Sequence, residues 1–140
     1  MKILKYTCLF ILLISCFGAN AQSAKKMNKY LMEKWVSVAN IYDGDTIATE
    51  VGKEVMELKK GGELSMTGQG IEMDGVWKYL EETNQLEMEL TTMDGKDVTA
   101  MNMKVGLDIL TAEKKMLTVS KQGKKTVIYV VDGSGIRVGK

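Results

Sequence analysis

Three close pairs of carboxylates, Asp43 with Asp45, Glu72 with Asp74 and Asp94 with Asp97, are the residues here whose type and spacing could do acid–base work. A general acid and base, or two oxygen ligands for a cation, would use such a pair. Each pair lies beside a glycine, Gly44, Gly75 or Gly95, in a stretch that reads as a turn, where aspartate serves the backbone's own hydrogen bonding. None continues into the alternating oxygen ligands, closed by a distal glutamate, that a calcium loop needs. Gly68-Gln69-Gly70 has no lysine–serine partner and no helix behind it, so it is no phosphate loop. The chain also has no histidine, which removes the commonest general base, the commonest metal ligand and any serine triad of the usual kind. The expectation is a protein that is not an enzyme and holds no metal and no cofactor, haem ligation by methionine or tyrosine being the one exception open on paper.

Binding is better provided for. Ten of the eleven methionines follow the first 21 residues, and Met56, Met66, Met88, Met116 and one of Met101 and Met103 fall at or near inward positions of alternating runs. Methionine is flexible and polarizable, so it either fills a dry core or lines a hollow that adapts to a small apolar ligand. Trp77, Tyr79, Met88 and Met101 are the candidate ligand-binding residues. Trp35 and Trp77 each open a strand beside a lysine, which suits an indole buried at the floor of a barrel or, alternatively, an exposed stacking platform. Arg137, the sole arginine, could lie flat on Trp35 and tie the end of the chain to the first strand.

These residues must be positioned by short strands. The stretch Gly75 to Leu90 is the pattern for the rest: Val76 to Leu80 and Leu86 to Leu90 alternate around a polar turn at Glu82 to Gln85, with Leu86, Met88 and Leu90 on one face and Glu87 and Glu89 on the other. Ahead of it, Ser23 is an N-cap candidate for an amphipathic helix over about Ala24 to Glu33 that would plug one end of a β structure, its Lys25, Lys26 and Lys29 outward. Strands are expected at Lys34 to Ile41, Thr46 to Val51, Glu54 to Lys59 and Glu63 to Thr67. Gly68 to Gly75 reads as a flexible loop in which Ile71 and Met73 could form a short edge. After the tight turn at Met93 to Lys96, strands are expected at Asp97 to Val105, interrupted by Gly106, then at Leu107 to Thr111, Met116 to Lys121 and Lys125 to Val131, with Ile136 to Val138 as a last piece or packed tail. The sum is an all-β domain, a small up-and-down antiparallel barrel of about eight strands with a short N-terminal helix. Closure removes the two edges that a flat meander would expose.

Residues 1–21 read as a signal peptide: Lys2 and Lys5, an apolar core at Leu9 to Phe17, and the small-residue site Ala19-Asn20-Ala21. The remaining domain, residues 22–140, has acidic and basic residues nearly in balance, and no nucleic-acid partner is implied. Both cysteines, Cys8 and Cys16, lie in the leader, so the domain has neither disulfide nor thiolate. Leu13-Ile14-Ser15-Cys16 offers a second reading as a lipidation site at Cys16. The expected product is an exported monomer, periplasmic or secreted, or an outer-membrane lipoprotein that meets the membrane only through a lipid on Cys16.

The arrangement resembles the lipocalin-like domain proteins of Bacteroidetes, within the calycin group. The likeness rests on Lys34-Trp35-Val36-Ser37-Val38 after a short helix, on Val55 to Met66 as a strand-glycine-strand unit, on Gly75-Val76-Trp77-Lys78-Tyr79 with Leu86-Glu87-Met88, and on Ile109-Leu110-Thr111 followed by Lys115-Met116-Leu117-Thr118-Val119. It covers about Tyr30 to Val131. It implies an eight-stranded barrel that carries a small hydrophobic molecule at its mouth, with Arg137 as the residue matching an arginine that packs across the first tryptophan. Function would then be small-molecule binding, the alternative being a solid barrel that serves as an envelope interaction module.

Overall fold

The computed structural model describes residues 24–48 and 53–136. Cys16, Arg137, Ser23 and the leader therefore lie outside the described residues, as does most of the piece expected at Ile136 to Val138. A helix over residues 24–31, α1, leads into β1 (Lys34–Tyr42), β2 (Asp45–Ala48), β3 (Glu54–Leu58), β4 (Glu63–Gly68) and β5 (Ile71–Leu80), then β6 (Gln85–Met93), β7 (Lys96–Asp97), a 3-10 turn (Thr99–Met101), β8 (Lys104–Ala112), β9 (Met116–Lys121) and β10 (Lys125–Val131). Hydrogen bonding runs β10-β9-β8-β6-β5-β4-β3-β1, and β1 pairs back with β10, so eight antiparallel strands close a barrel. The two remaining strands extend it at one end. β2 continues the line of β3 along β1, pairing Ala39 to Tyr42 while β3 pairs Lys34 to Val36, and β7 continues the line of β8 along β6.

That end is the mouth, and its links are tight. Asp43-Gly44, Gln69-Gly70 and Asp94-Gly95 each join strands through two residues with positive φ, the geometry that follows strand twist and that Asp-Gly adopts readily. The opposite end is the floor. There α1 delivers Leu31, fully buried, and the Leu31 carbonyl accepts a 2.9 Å hydrogen bond from Trp35 Nε1. Met27 and Met32 pack on the same cluster, which also holds Leu58, Leu64, Leu86 and Leu117, while Lys25, Lys26 and Lys29 stay in water. No phenylalanine follows Phe17, so leucine, methionine and two tryptophans, with Ile109, Val119, Val127 and Tyr129, supply the bulk of this cluster.

Three sequence expectations need correction. Gly68 to Gly75 is no loop: β5 begins at Ile71 and pairs fully with β4, because the two-residue turn at Gln69-Gly70 brings Ile71 opposite Gly68 at once. Asp97 to Val105 is no continuous strand either, since Asp97 Oδ1 accepts from both the amide and the hydroxyl of Thr99 and bends the chain into the 3-10 turn. Gly106, by contrast, interrupts nothing; it pairs with Glu87 within β8.

Candidate functional site

Inward positions follow from the register, because directly opposed residues share a face. On β1 they are Trp35, Ser37, Asn40 and Tyr42, the phase changing at a bulge between Ser37 and Ala39. Their β10 partners are Val131, Tyr129, Val127 and Lys125. Across the other wall, Met56 opposes Met66, Met66 opposes Met73, and Met73 opposes Met93. Leu58, Leu64 and Leu86 lie one or two steps nearer the floor.

The interior is solid below and hollow above. Two adjoining hollows of about 280 Å³ and 250 Å³ share Glu54, Met66, Met73 and Tyr129. The first runs along β3, β4 and the start of β5 to Ile71. The second is floored by Met88, Leu90, Leu107 and Val127 and rimmed by Lys121 and Lys125. Its walls are apolar apart from Glu54, the two lysines and the Tyr129 phenol. Burial pushes that phenol well above its ordinary pKa, and the charge of Glu54 adds to the effect, so the group stays a neutral hydroxyl at physiological pH. Lys121 and Lys125 oppose one another across β9 and β10, and Lys125 Nζ lies 5.6 Å from the centre of the Tyr42 ring. Ser37 Oγ and Asn40 Oδ1, both buried on the inner face of β1, have no hydrogen-bond partner among the described residues.

The four residues expected to bind ligand are not brought together. Met88 lines the hollow. Trp77 lies below it, its Nε1 donating to the Lys59 carbonyl at 3.0 Å. Tyr79 is nearer the floor still, its hydroxyl donating to Asn84 Oδ1 at 2.8 Å, and burial together with Glu81 raises its pKa. Met101 is 68% exposed on the 3-10 turn, and its neighbour Met103 is the one packed against the core. Trp35 does stand at the floor, 1% exposed. Met73, Tyr129, Glu54, Lys121 and Lys125 also line the hollow and are not among the four candidates. The alternation of Lys125 to Val131 carries the signal for Tyr129 and Lys125, and the short edge at Ile71 and Met73, which is the start of β5, carries it for Met73.

In two of the three carboxylate pairs the aspartates serve the backbone and the hydroxyls near them. Asp74 Oδ1 accepts from Ser65 Oγ at 3.0 Å and its Oδ2 from Thr92 Oγ1 at 3.3 Å, while Asp94 Oδ1 accepts the Glu72 amide at 3.0 Å. Asp97 is held below the ordinary carboxylate pKa by its two bonds from Thr99. Among the described residues no three acids gather where a cation could be held.

A closed eight-stranded antiparallel barrel, plugged by a helix at one end and hollow at the other, defines the lipocalin-like fold. Solved structures share it. A lipocalin-like protein from Bacteroides uniformis superposes with a TM-score of 0.55 at 14% identity, over 73% of this chain and 98% of its own. An uncharacterized protein from Bacteroides eggerthii does so with a TM-score of 0.55 at 12% identity, over 71% of this chain and 98% of its own. No protein-family model matches the sequence, nor does any curated protein.

Proposed function

We propose that this chain is an exported, non-enzymatic binding protein that takes one small, mostly apolar molecule into the mouth of its barrel. The observation that carries this reading is the hollow itself, apolar through Met66, Met73, Met88, Leu90 and Leu107 and bordered by few polar groups. Burial of apolar ligand surface stabilises the complex by about 25 cal/mol per Å². Methionine walls fit irregular shapes, because their three rotatable bonds let them follow the ligand. Polar groups at one end, the Tyr129 hydroxyl with Glu54, Lys121 and Lys125, would orient a polar end of the ligand toward water. A hollow of about 250 Å³ equals the liquid volume of roughly eight waters, so the ligand has on the order of ten non-hydrogen atoms inside the barrel. Export rests on the leader at residues 1–21; the intact mass of the mature chain separates a start at Gln22 from lipidation at Cys16.

Native mass spectrometry of protein purified from its own host is expected to retain a small bound mass, and apolar dyes are expected to brighten on addition. Val105→Lys introduces a charge at a half-buried lining position and should weaken dye uptake about tenfold. A bare apo mass together with dark dyes would remove the basis of the carrier reading.

A further inference from the structure

Methionine is not spread evenly over the barrel wall. On β3 and β4 the inward pair nearest the floor is Leu58 opposite Leu64, and the next pair toward the mouth is Met56 opposite Met66. On β5, Met66 is opposed by Met73, so three neighbouring strands carry a thioether at one level of the inner wall. All three border the same hollow, with Glu54 and Tyr129. Leucine fills equivalent positions lower down, so bulk alone does not account for sulfur at this level.

Three methionines in register are a ligand set. Directly opposed residues have Cβ atoms about 4.5–5.5 Å apart. Each methionine adds three rotatable bonds, which is enough for three sulfurs to converge on one ion at metal–sulfur lengths of about 2.3 Å. Thioethers are soft and neutral; they favour Cu(I) over divalent ions that want imidazole, thiolate or carboxylate. Histidine is absent from the chain and both cysteines lie in the leader, so thioethers are the only soft donors in the domain. A monocation taken into an apolar wall needs a counter-charge. Glu54 supplies one: it is two residues before Met56 on the same face, borders the same hollow, and makes no ion pair among the described residues.

We propose that Met56, Met66 and Met73 form a binding site for a soft monovalent metal ion, Cu(I) or its redox-inert counterpart Ag(I), with Glu54 balancing its charge. The site does not depend on an apolar ligand. It shares the hollow with one, so the two would compete for Met66 and Met73.

The test uses the full chain. Cu(I), held reduced without oxygen, is offered against a chromophoric Cu(I) chelator, and Ag(I) loading is counted by native mass spectrometry. One equivalent is expected per chain. The triple variant Met56→Leu, Met66→Leu, Met73→Leu should weaken Cu(I) at least a hundredfold, and Glu54→Gln several-fold. Methionine-to-leucine changes nearly conserve volume, so circular dichroism should be retained, while dye uptake by the unaltered chain in the absence of metal separates failure here from failure of the carrier reading. Met101→Leu, at an exposed site, should change nothing. The proposal is overturned if the chelator keeps the copper, if the triple variant competes as well as the unaltered chain, if Met101→Leu costs as much as the triple change, or if Zn(II) binds as tightly as Cu(I).

Discussion

The two ends of this barrel are built from the same strands by different rules. At the floor, Trp35, Leu31, Leu58, Leu64, Leu86 and Leu117 are all at most 1% exposed, and both indole N–H groups donate to backbone carbonyls. Asn84 ties the floor further: it accepts from the Tyr79 hydroxyl, donates through Nδ2 to the Ile109 carbonyl, and its own carbonyl accepts the Ile109 amide. At the mouth, strands are broken into β2 with β3 and β7 with β8, Met66 and Met73 are half-buried, and inward polar atoms lack partners among the described residues. The contrast divides the labour. Dense packing and satisfied polar groups hold the fold at one end, which leaves the other end free to keep a hollow that packing alone would fill.

The division is broken most directly by cutting one large side chain from each end. Trp35→Ala removes a fully buried ring and leaves the Leu31 carbonyl without its donor, an expected loss of about 4 kcal/mol. Met73→Ala removes a half-buried chain already facing a hollow, an expected loss of about 1 kcal/mol. Urea unfolding of the two variants measures the difference, and equal losses would mean that floor and mouth bear load alike.

How far the sequence discloses this plan follows from which forces are local. The alternation at Leu86 to Leu90 sets the face of β6 without help, and Leu86, Met88 and Leu90 all point inward as expected. Trp35 at the floor and the helix before it were legible for the same reason. Positions that depend on a bulge were not. A Cβ on Gly75 would come within 2.0 Å of the Glu89 carbonyl oxygen, across an irregularity in the β5–β6 pairing between Asp74 and Gly75. That close approach requires glycine within a strand, and from the sequence the residue looks like the end of a loop. Met101 differs for a similar reason: a strand continued from Asp97 would put Met101 and Met103 on one face, but the Asp97–Thr99 bonds curl the chain and only Met103 returns to the core. Residues that line the hollow are harder to read than fold because they are defined by neighbours across the barrel, such as Glu54 with Tyr129, that no local spacing encodes.

A smaller effect sharpens the boundary between the two ends. Tyr129 lies where packing gives way to hollow, and its folded pKa is raised above 10.0 by burial first and by Glu54 second. A folded pKa above the unfolded one means the native state holds this proton more tightly. Its contribution is therefore whole below pH 10 and is lost as the pH rises beyond it, when the unfolded chain ionises first. The denaturation midpoint is expected to fall above pH 10, and Tyr129→Phe is expected to flatten that fall while Tyr42→Phe, at an exposed ring, leaves it unchanged.

The smallest expected effect has the opposite sign. Ser37 is fully buried, faces Tyr129 across the β1–β10 ladder, and its hydroxyl has no partner among the described residues. A buried hydroxyl left unpaired costs free energy in the folded state that alanine does not incur, since the methyl of alanine needs no hydrogen bond. Ser37→Ala is thus expected to stabilise the apo protein by about 0.5 kcal/mol, a rise of a few degrees at most in the thermal midpoint. The same change at a satisfied floor group, such as Asn84→Ala, should destabilise, because it orphans the Ile109 carbonyl and the Tyr79 hydroxyl together. If Ser37→Ala lowered the midpoint instead, its hydroxyl would have a partner in solution, and the mouth would be held by the same rule as the floor.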